Sequence, residues 1–155
     1  MGIEFSQKES VETYSEGTTS EQLTLRPVML ALVGDVSGKT VLDMGCGDGR
    51  YSLIFAQNGA RVIATDASEH QIEIAQQRHA HPNIAYNMSD VSAAPEPASV
   101  DVAFANLVVP SLSGTDKLDA LVSTAKRTLK PGGKFIFSVL HPLYIAAEQD
   151  TYDKS

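Results

Sequence analysis

Three glycines at alternate positions, between residues 41 and 50, form the stretch whose residue types have the clearest chemical meaning. The stretch reads VLDMGCGDGR, an apolar run followed by Gly45, Gly47 and Gly49. Glycine removes the side chain where a backbone must turn sharply or come close to a bound group. A strand that runs into such a turn and opens a helix presents free backbone N–H groups to a polar ligand. The stretch therefore predicts a ligand-binding loop.

Polar side chains follow three other short apolar runs in a similar way. Asp66, Asp90 and Asn106 each stand at or just after the end of a segment with the composition of a strand. In open parallel sheets, ligands bind beyond the carboxyl ends of the strands, where the strand order reverses. We therefore expect these side chains and the glycine loop to meet at one edge of a sheet.

The elements that must position this edge alternate between strand and helix. Apolar runs bounded by turn residues predict strands over 39–44, 61–65, 84–88, 100–105 and 134–140. Helical spacing of apolar residues predicts helices starting near Ser20, over 50–58, after Ser68, and from residue 115 or 116. Ser68 and Gln71 match a capping box. This alternation predicts an α/β fold, a doubly wound, mostly parallel Rossmann-like sheet with helices on both faces.

The length of 155 residues is that of one domain. We predict a flexible N-terminal leader over 1–19, a ligand-binding domain over 20–142 and a C-terminal tail over 143–155. The formal net charge of −7 is unlike the footprint of a protein that binds a phosphate backbone. No apolar run has the length needed to span a membrane, and the single cysteine fits a reducing cytoplasm. We expect a small-molecule partner rather than nucleic acid or a membrane.

The loop departs from the dinucleotide fingerprint G-x-G-x-x-G. That pattern needs a glycine at position 50, where this chain has Arg50. Asp43, just before the glycines, would repel a pyrophosphate but suits a ligand that carries an amino group or a sulfonium. A nicotinamide enzyme is therefore the third choice among the functions considered.

These residues resemble class I S-adenosylmethionine-dependent methyltransferases, in particular the small-molecule enzymes of that superfamily. Five motifs in the family's order carry the resemblance: residues 41–49 (VLDMGCGDG), 65–68 (TDAS), 89–91 (SDV), 99–103 (SVDVA) and 129–133 (LKPGG). The resemblance covers about residues 39–142. It implies S-adenosyl-L-methionine as cofactor, S-adenosyl-L-homocysteine as product and no metal.

The resemblance also assigns roles to the glycine loop. Gly45, Gly47 and Gly49 would let the backbone approach the methionine and ribose parts of the cofactor. Asp43 would lie beneath the loop near the amino group, although it could also cap a neighbouring helix. Cys46 belongs to the same cofactor-binding loop, and its thiol is read as a packing group rather than a nucleophile.

Five further residues complete the predicted cofactor site. Asp66 would accept hydrogen bonds from both ribose hydroxyls, and its alternative is a solvated acid at a strand end. Ala67 and Val91 would flank the adenine ring, and Asp90 would accept from the adenine amine or make no contact. Asn106 would line the floor beside the transferable methyl group.

No general base can be assigned, so the catalytic residues are unknown. His141, at the end of the predicted fifth strand, is the one candidate for the acceptor pocket. His70, His79 and His81 lack the companion ligands of a metal site and are predicted to be solvent-exposed.

The family usually adds an antiparallel hairpin after the fifth strand, and about 13 residues follow His141-Pro142. We therefore expect a sheet that lacks this hairpin, as in a truncated or minimal relative. Its exposed fifth strand could pair with another copy in a homo-oligomer. The leading function is methyl transfer to a small organic acceptor. The alternative is an inactive module that binds S-adenosylmethionine or S-adenosylhomocysteine.

Overall fold

The computed structural model describes residues 21–93, 95–112 and 114–139. The predicted leader over 1–19, the tail over 143–155 and His141 lie outside these ranges. The strands are β1 (Thr40–Met44), β2 (Arg61–Asp66), β3 (Ile84–Met88), β4 (Val100–Asn106) and β5 (Leu129–Ser138). The helices are α1 (Arg26–Val33), α2 (Arg50–Gln57), α3 (Glu69–Arg78) and α4 (Thr115–Thr128). A π-helical turn (Glu21–Leu25) precedes α1, and a 3₁₀ turn (Val109–Ser111) precedes α4.

The strands form one sheet in the order β3-β2-β1-β4-β5, and every pair is parallel. The order reverses beside β1, whose neighbours are β2 and β4, so the doubly wound fold is confirmed. The register aligns Met44 with Thr65 and Asp66 with Met88. The carboxyl ends of β1, β2 and β3 therefore lie together at one edge.

Helices cover the two faces of the sheet unequally. One core cluster joins α1 and α2 to the sheet through buried side chains that include Met29, Phe55 and Phe104. A second cluster joins α4 to the opposite face through Leu121 and Ala125. In the described part of the chain, α4 is the only α-helix after β3, because residues 89–93 and 95–99 connect β3 to β4 without one.

The apolar residues of two predicted helices, α1 and α4, are only partly buried. In α1, Val28 and Leu32 are 54% and 55% exposed, whereas Met29 and Val33 are buried. In α4, Val122 is 46% exposed and Thr128 is fully buried. The Thr128 hydroxyl donates to a carbonyl of its own helix, 2.8 Å away, so its burial leaves no unpaired hydroxyl.

Strand β5 begins five residues earlier than predicted. Its pairing with β4 starts at Leu129 and shifts register before Lys134, and Gly132 has a φ of +81° in between. The predicted turn is therefore an irregular part of the strand. β5 forms one end of the sheet as described, and Phe137 is 50% exposed there. None of the helices in the described ranges is long and apolar enough to cross a lipid bilayer.

Candidate cofactor site

The glycine loop continues the pairing of β1 with β2 past the end of the strand. The N–H groups of Gly45 and Cys46 both donate to the carbonyl of Thr65, at 2.7 and 2.9 Å. The Gly49 N–H then donates to the Cys46 carbonyl at 3.0 Å and closes the turn that opens α2. The loop is thus fixed by backbone bonds at both ends, as the strand–turn–helix prediction requires.

Asp66, the last residue of β2, ties the loop to the next helix. One carboxylate oxygen accepts from the Gly47 N–H and the other from the Ser68 N–H, both at 2.9 Å. Burial raises the pKa of Asp66, and the two N–H bonds oppose that shift. The carboxylate is half-buried, so it is oriented by backbone donors and still reaches the surface of the edge.

Asp43 lies beneath the loop and is 1% exposed. Its carboxylate accepts a 2.6 Å hydrogen bond from the hydroxyl of Ser52, in the first turn of α2. Burial raises the pKa of Asp43 to about 7, although the bond from Ser52 opposes the shift. Asp43 thus contacts the neighbouring helix through its side chain, and its carboxyl group lies close under the glycines.

The three glycines of the loop have positive φ angles but different surroundings. A Cβ built on Gly45 would lie 1.8 Å from Val108 Cγ2, and one on Gly49 would lie 2.4 Å from the Tyr86 hydroxyl. At Gly47 the nearest atom is Gln71 Oε1, at 4.0 Å. Two glycines are therefore required by internal packing, and Gly47 alone leaves open space beside the loop.

Cys46 packs against the first core cluster. Burial raises the pKa of its thiol well above the ordinary value, so the thiol stays protonated at neutral pH. A buried, protonated thiol is a poor nucleophile, which agrees with packing as its role.

The structure places Asp90 just after β3, where it pairs with Lys117 of α4 at 2.5 Å. The hydrogen bond from Lys117 is the main reason that the pKa of Asp90 is lowered. Both side chains are about two-fifths exposed, at 41% and 42%. The neighbouring Ala67 is exposed and Val91 is half-buried. Asp90 therefore already has a cationic partner, which the sequence did not predict.

Asn106 ends β4 and is held by the edge strand. Its side-chain oxygen accepts from the Ser138 hydroxyl at 2.7 Å, and that hydroxyl oxygen accepts from the Leu107 N–H at 3.0 Å. Leu107 has a φ of +54°, which turns the chain so that Val108 covers Gly45. The end of β4 is thus packed directly onto the start of the glycine loop.

Asp101 lies near the start of β4, at the edge of the sheet opposite the glycine loop. It accepts from the Thr40 N–H at 2.8 Å and from the Lys130 ammonium at 2.9 Å. The bond from Thr40 is the main reason that the pKa of Asp101 is lowered. These bonds join β1, β4 and β5, so Asp101 has a structural role.

The prediction that His79 is an exposed loop residue is wrong. Its ring Nδ1 lies 2.7 Å from the Asp48 carbonyl, and the side chain is half-buried. Tyr86 donates to the His79 carbonyl at 3.0 Å, beside Gly49. His79 and Tyr86 therefore support the glycine loop from below, and His70 and His81 are half-buried rather than fully exposed.

Sequence reasoning missed four residues that shape this edge, namely Val108, Tyr86, Lys117 and Gln71. The first three act through contacts between residues distant in the chain, for which no local pattern exists. Gln71 did have a signal, since it is the N3 residue of the predicted capping box. The hydrogen bond of 3.3 Å from its N–H to Ser68 Oγ confirms half of that box.

Comparison with known proteins supports the same class. The methyltransferase domain family matches residues 42–137. Malonyl-acyl-carrier protein O-methyltransferase from Serratia marcescens is 34% identical over 113 residues, which cover 72% of this chain and 42% of the relative.

An S-adenosylmethionine-dependent methyltransferase from Mesorhizobium loti superposes with a TM-score of 0.70 at 28% identity, covering 83% of this chain and 56% of that one. The phosphoethanolamine N-methyltransferase 1 of Haemonchus contortus, solved with phosphoethanolamine and S-adenosylhomocysteine, gives a TM-score of 0.66 at 28% identity. That match covers 85% of this chain and 31% of the Haemonchus contortus protein.

The fold and the glycine loop thus define an α/β nucleoside-cofactor domain with its site at the carboxyl edge of the sheet. The chain belongs to the methyltransferase domain family, and its fold is that of class I S-adenosylmethionine-dependent methyltransferases. It spans 42%, 56% and 31% of the lengths of the three relatives described above.

Proposed function

We propose that this domain binds S-adenosylmethionine at the glycine-loop edge and transfers its methyl group to a small organic acceptor. The observation that carries the proposal is the carboxylate of Asp66. Backbone N–H groups of Gly47 and Ser68 orient it at the edge, beside the one loop glycine that leaves open space. A carboxylate has about four lone-pair positions, so two N–H bonds leave room for two ribose hydroxyls.

The remaining residues suit the other parts of this cofactor. Asp43 has its carboxyl group beneath the loop and, in its ionised form, would attract the cationic amino group of the methionine part. Ala67 and Val91 would lie on either side of adenine. Asp90 would accept from the adenine amine if its Lys117 partner moved aside. Asn106 would face the methyl group while Ser138 fixes its amide.

When bound, S-adenosylmethionine supplies an electrophilic methyl group on a sulfonium sulfur. The protein's own contribution is then to bind, orient and shield. Val108 covers Gly45 and excludes water from that side of the loop. Ser52 keeps the Asp43 carboxylate in one orientation through the bond to its oxygen.

Calorimetric titration with S-adenosylhomocysteine tests the binding step. We expect wild-type protein to bind it and to ignore NAD, and Asp66→Ala to weaken binding by at least tenfold through loss of the ribose acceptor. Asp119→Ala is the matched control, since Asp119 is an exposed acid on α4. Failure of the wild-type protein to bind S-adenosylhomocysteine would contradict the proposal.

The acceptor is the second part of the proposal. The Serratia relative is named for O-methylation and the nematode structure for N-methylation, so the fold supports acceptors of both kinds. A transfer assay with radiolabelled methyl donor and a panel of small alcohols, carboxylates, amines and thioester-bound malonate would identify the class. Binding of S-adenosylhomocysteine without transfer to any acceptor would favour the second candidate, a module that binds without turnover.

A further inference from the structure

One face of α3 packs along the glycine loop, and His79 at the end of that face has no part in the proposed function. Gln71, Ala75 and His79 recur at intervals of four residues, so they lie on the same side of the helix. A Cβ on Gly47 would lie 4.0 Å from Gln71 Oε1, and one on Gly49 would lie 2.9 Å from Ala75 Cβ. The helix and its C-cap residue therefore follow the loop closely.

The His79 ring reaches the backbone of the loop. Its Nδ1 lies 2.7 Å from the Asp48 carbonyl oxygen. A carbonyl oxygen accepts and cannot donate, so Nδ1 must carry the proton of this bond. The same peptide unit continues into the Gly49 N–H, which donates to the Cys46 carbonyl at 3.0 Å. The Asp48–Gly49 peptide is therefore held by a hydrogen bond at each end.

The backbone of His79 is itself fixed on two sides. Its N–H donates to the Ala75 carbonyl at 2.9 Å, which caps the end of α3. Its carbonyl accepts from the Tyr86 hydroxyl of β3 at 3.0 Å, and that hydroxyl also lies against Gly49. Because both α3 and β3 hold His79, the ring constrains the loop rather than moving with it.

We infer that His79 is a positioning residue for the cofactor, whose Nδ1–H holds the Asp48 carbonyl and keeps the glycine loop in its binding conformation. The inference rests on the proposed function, because it takes the loop as the cofactor-binding surface. Gly47 and Gly49 flank the Asp48 residue, and glycine permits many backbone conformations. Without the bond the loop would populate several of them, and the affinity would fall with the fraction that is competent to bind.

Calorimetric titration of His79→Asn and His79→Leu with S-adenosylhomocysteine, well below the melting temperature, tests this inference. Asparagine and leucine branch at Cγ in the same way, but only asparagine can place an N–H donor where Nδ1 lies. We expect His79→Asn to bind within about twofold of wild type. His79→Leu should bind about five- to tenfold more weakly, as for the loss of one hydrogen bond. Equal affinities of the two variants would overturn the inference.

His81→Leu is the matched control and should bind like wild type, since His81 Nδ1 accepts from the Asn83 N–H at 3.2 Å within its own turn. A purely structural role would lower the melting temperature but leave the affinity of the folded protein unchanged.

A second measurement needs no variant. The ¹⁵N spectrum of the histidine rings in the wild-type protein should show a proton on Nδ1 of His79. An Nδ1 without a proton would overturn the inference, because the ring could not donate to Asp48. If the wild-type protein shows this proton and does not bind S-adenosylhomocysteine, the proposed function fails and the hydrogen bond stands.

Discussion

The two halves of the candidate site are held in place by different forces. The inner rim comprises residues 43–49 and 66–71, and the outer rim comprises residues 89–93 together with Lys117. In the inner rim, Asp43 is 1% exposed and the loop is tied by backbone bonds of 2.7–3.0 Å. In the outer rim, the principal side-chain contact is the ion pair of Asp90 and Lys117, with side chains 41% and 42% exposed.

Because of this difference, the two rims should differ in how easily their side chains change position or partner. Burial and backbone bonds make the inner rim rigid before any ligand arrives, which favours tight recognition of one constant molecule. An exposed ion pair contributes about 0–1 kcal/mol and exchanges partners at little cost. We therefore expect the inner rim to fix the cofactor and the outer rim to accommodate different acceptors.

The largest effect should come from adding a methyl group to the inner rim. Gly45→Ala and Gly38→Ala start from the same φ of +70°, but a Cβ meets Val108 at 1.8 Å at Gly45 and nothing within 4 Å at Gly38. We expect Gly38→Ala to cost about 1–2 kcal/mol from the backbone alone. Gly45→Ala should cost about 1–3 kcal/mol more from overpacking. Urea unfolding measures both, and equal losses would show that Val108 does not constrain the loop.

A second large effect should appear in the pH dependence of stability. The pKa of Asp43 is about 7 in the folded chain against an ordinary 3.8. The folded state thus holds a proton that the unfolded state releases, so this contribution is complete below pH 4 and is lost as the pH rises to 7 and above. Asp43→Asn removes it and should be more stable than wild type at pH 8 by a few kcal/mol, about 1.4 per pKa unit.

The measurement is the difference in free energy of unfolding between wild type and Asp43→Asn from pH 4 to pH 8. The difference, rather than wild type alone, cancels the opposite trend from Asp90 and Asp101, whose pKa values are lowered. Parallel curves for the two proteins would mean that Asp43 is ionised as easily in the fold as outside it.

The inner rim was also the part that the sequence predicted best. Apolar runs and alternate glycines determine local conformation, so β1, the loop and α2 were located to within one residue. The meeting of the glycine loop with Asp66 and Asp90 at one edge followed from the parallel topology, which places the carboxyl ends of the strands together. The separate packing roles of Gly45 and Gly49 could not be predicted, because Val108, which follows β4, and Tyr86, which lies in β3, are far away in the chain. The start of β5 was missed because a turn signature at residues 131–133 lies inside an irregular strand.

In the described part of the chain, β5 is an edge strand of the sheet, and its pairing provides a test with an effect of intermediate size. We propose that a second copy of the chain pairs with this edge, since Phe137 in β5 and Val139 just after it are 50% and 51% exposed. Sedimentation should then give a mass that rises with concentration for wild type and not for Phe137→Lys. Leu23→Lys is the control, because Leu23 is 73% exposed in the N-terminal turn. A wild-type protein that is monomeric at all concentrations would contradict the proposal.

The smallest effect should come from the outer-rim ion pair itself. A double-mutant cycle with Lys117→Met and Asp90→Asn isolates the coupling between the two side chains. We expect about 0.5 kcal/mol in low salt, because both groups are two-fifths exposed, and less in 1 M salt. A second cycle uses Ser52→Ala and Asp43→Asn, whose wild-type side chains are buried and hydrogen-bonded at 2.6 Å. Its coupling energy should be about 1.5–3 kcal/mol at neutral pH and above, and it should change little with salt. Similar couplings and similar salt dependence at the two pairs would mean that the inner and outer rims are equally rigid, and the proposed separation of cofactor and acceptor functions would lose its physical basis.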